Sequence, residues 1–96
     1  MGVLLASYAN KTTSTAEAEL TVPADGVVQF LLHGNPGDRA VVKVLLKTAN
    51  TNFTEFPELT FYKKTAVQFN VLKDDQIKVQ FFDCVAANAD VRHWSL

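Results

Sequence analysis

Thr65-Ala66-Val67-Gln68-Phe69-Asn70-Val71-Leu72-Lys73-Asp74-Asp75-Gln76-Ile77-Lys78-Val79-Gln80-Phe81-Phe82-Asp83 is the stretch whose reading decides the fold. Val67, Phe69 and Val71 alternate with Gln68 and Asn70, and Ile77, Val79 and Phe81 alternate with Lys78 and Gln80. A period of two puts apolar side chains on one side of an extended chain and polar ones on the other, the pattern of a strand buried on one face. Between the two runs, Lys73-Asp74-Asp75 supplies the polar, turn-forming residues that reverse the chain. The β-branched and aromatic content of both runs argues against a helix.

The same alternation extends upstream. Ala40–Thr48 aligns Val42, Val44 and Leu46, and Val27–His33 aligns Val28, Phe30 and Leu32. In Ala16–Val22, residues Ala16, Ala18, Leu20 and Val22 oppose Glu17, Glu19 and Thr21. Leu59–Tyr62 reads as a short strand, Val3–Ala9 as a first one and Val91–Leu96 as a last one. Pro23-Ala24-Asp25-Gly26 reads as a tight turn with Gly at positive φ, and Asn35-Pro36-Gly37-Asp38 as a type II turn. Helix-friendly residues occur only briefly, in Thr13–Leu20 and Cys84–Ala89. Turn signals at 8–12-residue spacing predict one all-β domain over residues 1–96. The expected fold is an antiparallel β-sandwich of about eight short strands, with Leu20, Phe30, Val44, Phe69 and Val79 in its core.

Composition narrows the function classes. The charged fraction is 20%, below the roughly 25% usual for soluble domains, which hints at surface that faces a partner. Net charge is −1 and only Lys63-Lys64 joins two basic residues, so no face gathers the Lys and Arg that nucleic acid demands. No apolar run approaches the 18 residues needed to span a bilayer, so no membrane partner is expected. The one cysteine, Cys84, excludes an internal disulfide and reads as a buried small hydrophobe. The N-terminus lacks a positively charged leader, which predicts cytoplasmic synthesis.

Cys84 and the histidines offer the residue types of nucleophilic catalysis without a local signature. His33 and His93 lie sixty positions apart, and Asp74-Asp75 lacks the alternating ligands of a calcium loop. Gly34-Asn35-Pro36-Gly37 leads into no helix, so it lacks the dipole that holds phosphate. No cofactor, no metal and no enzymatic activity are expected.

The informative deviation is on the second face of two strands. Val27 and Leu31 lie opposite the core face of Val27–His33, and Val41 and Leu45 do the same in Ala40–Thr48. Paired as a hairpin across Gly34–Arg39, these strands would carry an apolar strip outside the core. Either the chain itself covers it, through the loop Ala49–Glu58 with Phe53 and Phe56 or through the terminal segment, or a second subunit does. Val27, Leu31, Val41 and Leu45 are therefore the expected oligomer or partner interface. Phe53 and Phe56 are the candidate contact loop of an alternative, a carbohydrate- or peptide-binding module. A third reading is an inhibitor or accessory protein acting by surface contact.

Two stretches carry a family resemblance. Val22-Pro23-Ala24-Asp25-Gly26-Val27-Val28 resembles the Pro-x-Asp-Gly hairpin opening of small jelly-roll modules, and residues 69–79 resemble their x-V-x-x-G-D-x-I-x-V pattern, with Asp74 where the family has Gly. Such patterns occur in trimeric jelly rolls of the tumour-necrosis-factor kind and in bacteriophage capsid decoration (cement) or fibre-head proteins. The resemblance implies that the β-sandwich is jelly-roll-like and that the chain is a non-enzymatic structural protein: a homo-oligomer, with a trimer favoured, bound to a viral capsid protein and located in the virion.

Overall fold

The computed structural model describes residues 2–12, 15–34, 40–48, 54–55, 59–61, 65–84 and 86–96, with side chains except at 15, 16, 34, 54, 55, 59, 61 and 65. Among them it is all-β, with ten strand segments: β1 Val3–Lys11, β2 Thr15–Ala16, β3 Leu20–Thr21, β4 Gly26–Gly34, β5 Ala40–Lys47, β6 Thr54–Glu55, β7 Leu59–Phe61, β8 Thr65–Val71, β9 Gln76–Asp83 and β10 Ala87–Ser95. Two antiparallel sheets result, β1-β10-β4-β8 and a second built on β9 and β5. β2 and β3 both pair with β9, and β6 and β7 both pair with β5, so each couple acts as one interrupted strand. Counted that way, eight strands run first-eighth-third-sixth in one sheet and second-seventh-fourth-fifth in the other. That order is a jelly roll, the topology that the family resemblance implied.

In this order nearly every connection changes sheet; only β5 to β6–β7 stays within one. The hairpin expected between β4 and β5 therefore does not form. Both edges of β4 are already taken, by β10 over Gly26–Gly34 and by β8 over Gly26–Leu32, while β5 pairs with β9. The turns at Pro23–Asp25 and Leu72–Asp75 likewise carry the chain from one sheet to the other instead of closing hairpins.

The core is what the period-two reading named. Val28, Phe30 and Leu32 of β4 face Val42 and Val44 of β5 and Ile77, Val79 and Phe81 of β9, all at most 1% exposed. β10 contributes Ala87, Ala89, Val91 and His93. Tyr8 of β1 meets Phe81 edge-on, ring centres 5.5 Å apart, and this contact ties the two sheets together. Leu20 and Phe69 pack against the core only partly buried, because β3 and β8 lie at sheet edges. Cys84 is buried as expected.

Ala16–Val22 departs from its alternation for a countable reason. Ala16 pairs with Gln80 and Leu20 with Ile77, so four steps on one strand answer three on β9. One extra residue reverses which side chains face inward. Ala18 is exposed, and the Glu17 carboxylate turns inward to an ion pair with Lys11 Nζ at 2.9 Å.

Candidate interaction surfaces

The two stretches that carry the family resemblance meet at one end of the sandwich. Val22 N–H donates to the Asp75 carbonyl at 2.8 Å, and Asp74 N–H donates to the Val22 carbonyl at 2.9 Å. Side chains repeat the bracing: Asp25 Oδ1 accepts from Lys73 N–H at 2.8 Å, and the buried Asp75 accepts from Leu72 N–H at 2.9 Å through Oδ2. His93 Nε2 lies 2.7 Å from the Ala24 carbonyl, which can only accept, so that nitrogen carries the proton. These hydrogen bonds hold the corner. His93 is a core histidine with a fixed partner.

Asp74 has φ 72°, the left-handed region that Gly enters without strain. Asp74→Gly should therefore stabilise the protein, by up to about 1 kcal/mol in urea denaturation, since Asp tolerates this region better than most residues. Asp75→Ala should act in the opposite sense and cost about 1–3 kcal/mol, because it strands the Leu72 N–H.

The outer face of the β1-β10-β4-β8 sheet is a mosaic. In register across it, Trp94, Val27 and Asn70 form one row, Leu4, Arg92, Gln29 and Gln68 a second, and Ser7, Asp90, Leu31 and Ala66 a third. Ser7 Oγ donates to Asp90 Oδ1 at 2.8 Å, and His33 Nε2 lies 3.4 Å from Asp90 Oδ2. Val27 and Leu31 are half-buried on either side of Gln29. On the other sheet's outer face, Val41 and Leu45 of β5 are also half-buried, flanking Lys43, whose amino group sits 5.0 Å from the centre of the Phe82 ring. The structure thus keeps all four residues outside the core but divides them, two on each outer face. Phe53 and Phe56 lie outside the described residues. A shallow depression beside the corner is lined by Leu46, Thr48, Asn70, Val71, Leu72 and Asp75.

Buried ionisable groups sit at the β1–β2 side. Among the described residues, the buried Tyr8 hydroxyl and Glu17 Oε2 have no hydrogen-bond partner. Burial, reinforced by the negative charge of Glu17, pushes the Tyr8 phenol up to about 12. The raised value means that the folded state holds a proton which the unfolded chain releases from about pH 10 upward. Stability from Tyr8 is therefore complete below pH 10 and lost as pH rises to 12. Tyr8→Phe should flatten that alkaline decline in thermal melts. Burial also raises the Cys84 thiol, whose Sγ lies 3.7 Å from the Val41 carbonyl, so it makes a poor nucleophile. Among the described residues no three His, Cys, Asp or Glu side chains gather as metal ligands, and no helix is long and apolar enough to cross a membrane.

No family model matches the chain, and no curated protein matches it. Among solved structures it is similar to the C-terminal domain of A223, a structural protein from Sulfolobus turreted icosahedral virus. The likeness covers 95% of this chain and 100% of that domain, at 16% identity and a TM-score of 0.51. At that identity the likeness is one of fold: this chain is built as that β domain is.

Proposed function

We propose that this chain is a non-enzymatic structural protein of a virion, a capsid decoration or fibre component that works by self-association and by contact with a coat protein. The observation that carries the reading is the sandwich itself, which matches a viral structural domain over nearly its whole length. Apolar side chains outside the core support the self-association half. Val27, Leu31, Val41 and Leu45 are half-buried on the two outer faces, and Val3, Leu4 and Leu72 are 58%, 47% and 61% exposed. Contact with a partner would take these side chains out of water. The family resemblance implies three subunits.

Light scattering on the purified chain tests self-association: the expected mass is a multiple of 10.6 kDa, and a clean monomer at about 100 µM removes that half. Mass spectrometry of salt-washed virus particles tests the other half. The chain should remain in the particles, and its loss on washing counts against a virion role.

One observation favours a carbohydrate-binding alternative. Arg92, Gln29 and Gln68 stand side by side across three strands, with Trp94 and Asn70 in the adjoining row. Planar amides and a guanidinium beside an indole suit a neutral sugar with many hydroxyls. Glycan-array binding abolished by Arg92→Ala would support this reading, and an array with no binding would remove it.

A further inference from the structure

A sheet edge offers unpaired backbone donors and acceptors, and proteins that remain monomeric blunt it. Among the described residues, three of the four edges are blunted. β2, β3 and β6 have two residues each and β7 has three. β1 is longer but irregular: its pairing with β10 shifts between Leu4 and Ala6 and again between Tyr8 and Lys11, and Asn10 has φ 55°. β8 is the exception. Its seven residues pair with β4 one for one, with no shift, and among the described residues no strand pairs with its far side. It holds no Pro, no Gly and no charged residue; among the described strands of seven or more residues, β4, at the sheet centre, alone shares the lack of Lys, Arg, Asp and Glu.

We infer that β8 is a dimerisation edge, pairing antiparallel with the β8 of a second copy about a two-fold axis at Gln68, so that two four-stranded sheets become one of eight strands. The inference rests on the self-association reading above and names its surface. Centred on Gln68, all seven residues find partners, and side chains stay in phase with both faces. On the inner side Val67 meets Phe69 of the other copy, twice, an aromatic–β-branched pair of the favourable kind. Both residues are half-buried at the rim of the core, and the pairing extends that core across the axis. On the outer side Ala66 meets Asn70, and Gln68 meets Gln68. No charge faces a like charge. A second copy is the fitting occupant because the strand is complementary to itself in composition and in phase. An isologous contact also closes at two, whereas pairing β8 with an irregular β1 would run on into a fibre.

Charge at the axis tests the inference on the full chain. Gln68 is exposed, so Gln68→Lys and Gln68→Glu should both fold, as far-ultraviolet circular dichroism and thermal melts will show. Light scattering should give twice 10.6 kDa for the native chain. Each variant alone should dissociate at least tenfold more readily, and an equimolar mixture of the two should regain the dimer mass. Hydrogen exchange should show residues 65–71 protected in the native chain and unprotected in Gln68→Lys. If the native chain is monomeric, the self-association reading fails as well. If Gln68→Lys keeps the native oligomer mass, only the edge is overturned, and association belongs to an outer face. A monomer that gains protection at residues 65–71 only with an extended peptide of unrelated sequence would assign the edge to a foreign strand and overturn the homodimer.

Discussion

Gly26→Ala should destabilise the protein by about 3 kcal/mol or more, the upper end of what overpacking costs, with a fall in melting temperature of roughly 10–20 °C. Gly26 is the first residue of β4 and pairs with Ser95, and a Cβ there would run into the backbone carbonyl of Trp94. A carbonyl in a strand cannot rotate away as a side chain does. Relief requires β10 to lift from β4 at the end where the corner is braced, where Leu96 N–H donates to the Asp25 carbonyl at 3.1 Å and His93 bonds Ala24. Gly2→Ala is the matched control. Its Cβ would come within 2.6 Å of the Trp94 indole, which is a side chain with rotamers to spare, so the cost should stay below about 1 kcal/mol. Thermal and urea melts of the two variants compare a backbone obstacle with a side-chain one at the same tryptophan. Equal losses would show that Gly26 is not held to its place by the Trp94 carbonyl.

Gly26 also marks where sequence reading runs out. Next to Pro23, Ala24 and Asp25 it looks like a turn glycine needing positive φ, yet it stands inside a strand in ordinary extended backbone, and its smallness serves a close approach from a segment almost seventy residues away. Local pattern does not encode that distance. The position that does take positive φ in the second turn is Asp74, which its own chemistry half-disguises. Alternation, a local property, correctly placed the inward faces of β4, β5, β8 and β9. It failed at Glu17, where one extra residue against β9 reversed the phase. Sheet membership was illegible for a related reason. Short turns suggest hairpins, but in a jelly roll a short turn serves equally to step from one sheet to the other, and only the pairing of distant strands decides. The expected interface quartet was divided by that same choice. The edge at β8, by contrast, was written in the sequence as an uncharged run, and became meaningful only once its neighbours on the sheet were known.

Phe30→Ala should cost about 3–5 kcal/mol, whereas Phe69→Ala, which alternation alone ranks as its equal, should cost only about 1–2 kcal/mol. Both face the core from neighbouring strands of one sheet. Phe30 sits on β4, between β10 and β8, and is 1% exposed, with Val91 and Val67 as its cross-strand neighbours. Removing its ring leaves a void that two occupied flanks and an opposing sheet cannot collapse to fill. Phe69 sits on the edge strand, half-buried, so solvent already reaches part of it and the neighbours have room to relax. With total stability of about 5–15 kcal/mol, the first change brings the isolated chain close to unfolding and the second does not. Urea denaturation at two protein concentrations separates the terms further. In a dimer closed through β8, the cost of Phe69→Ala grows with protein concentration, because the lost ring also belonged to the other copy's core, while the cost of Phe30→Ala does not. A Phe69→Ala penalty that matches Phe30→Ala in a monomer would mean that the edge is as deeply packed as the centre, which the exposure of β8 denies.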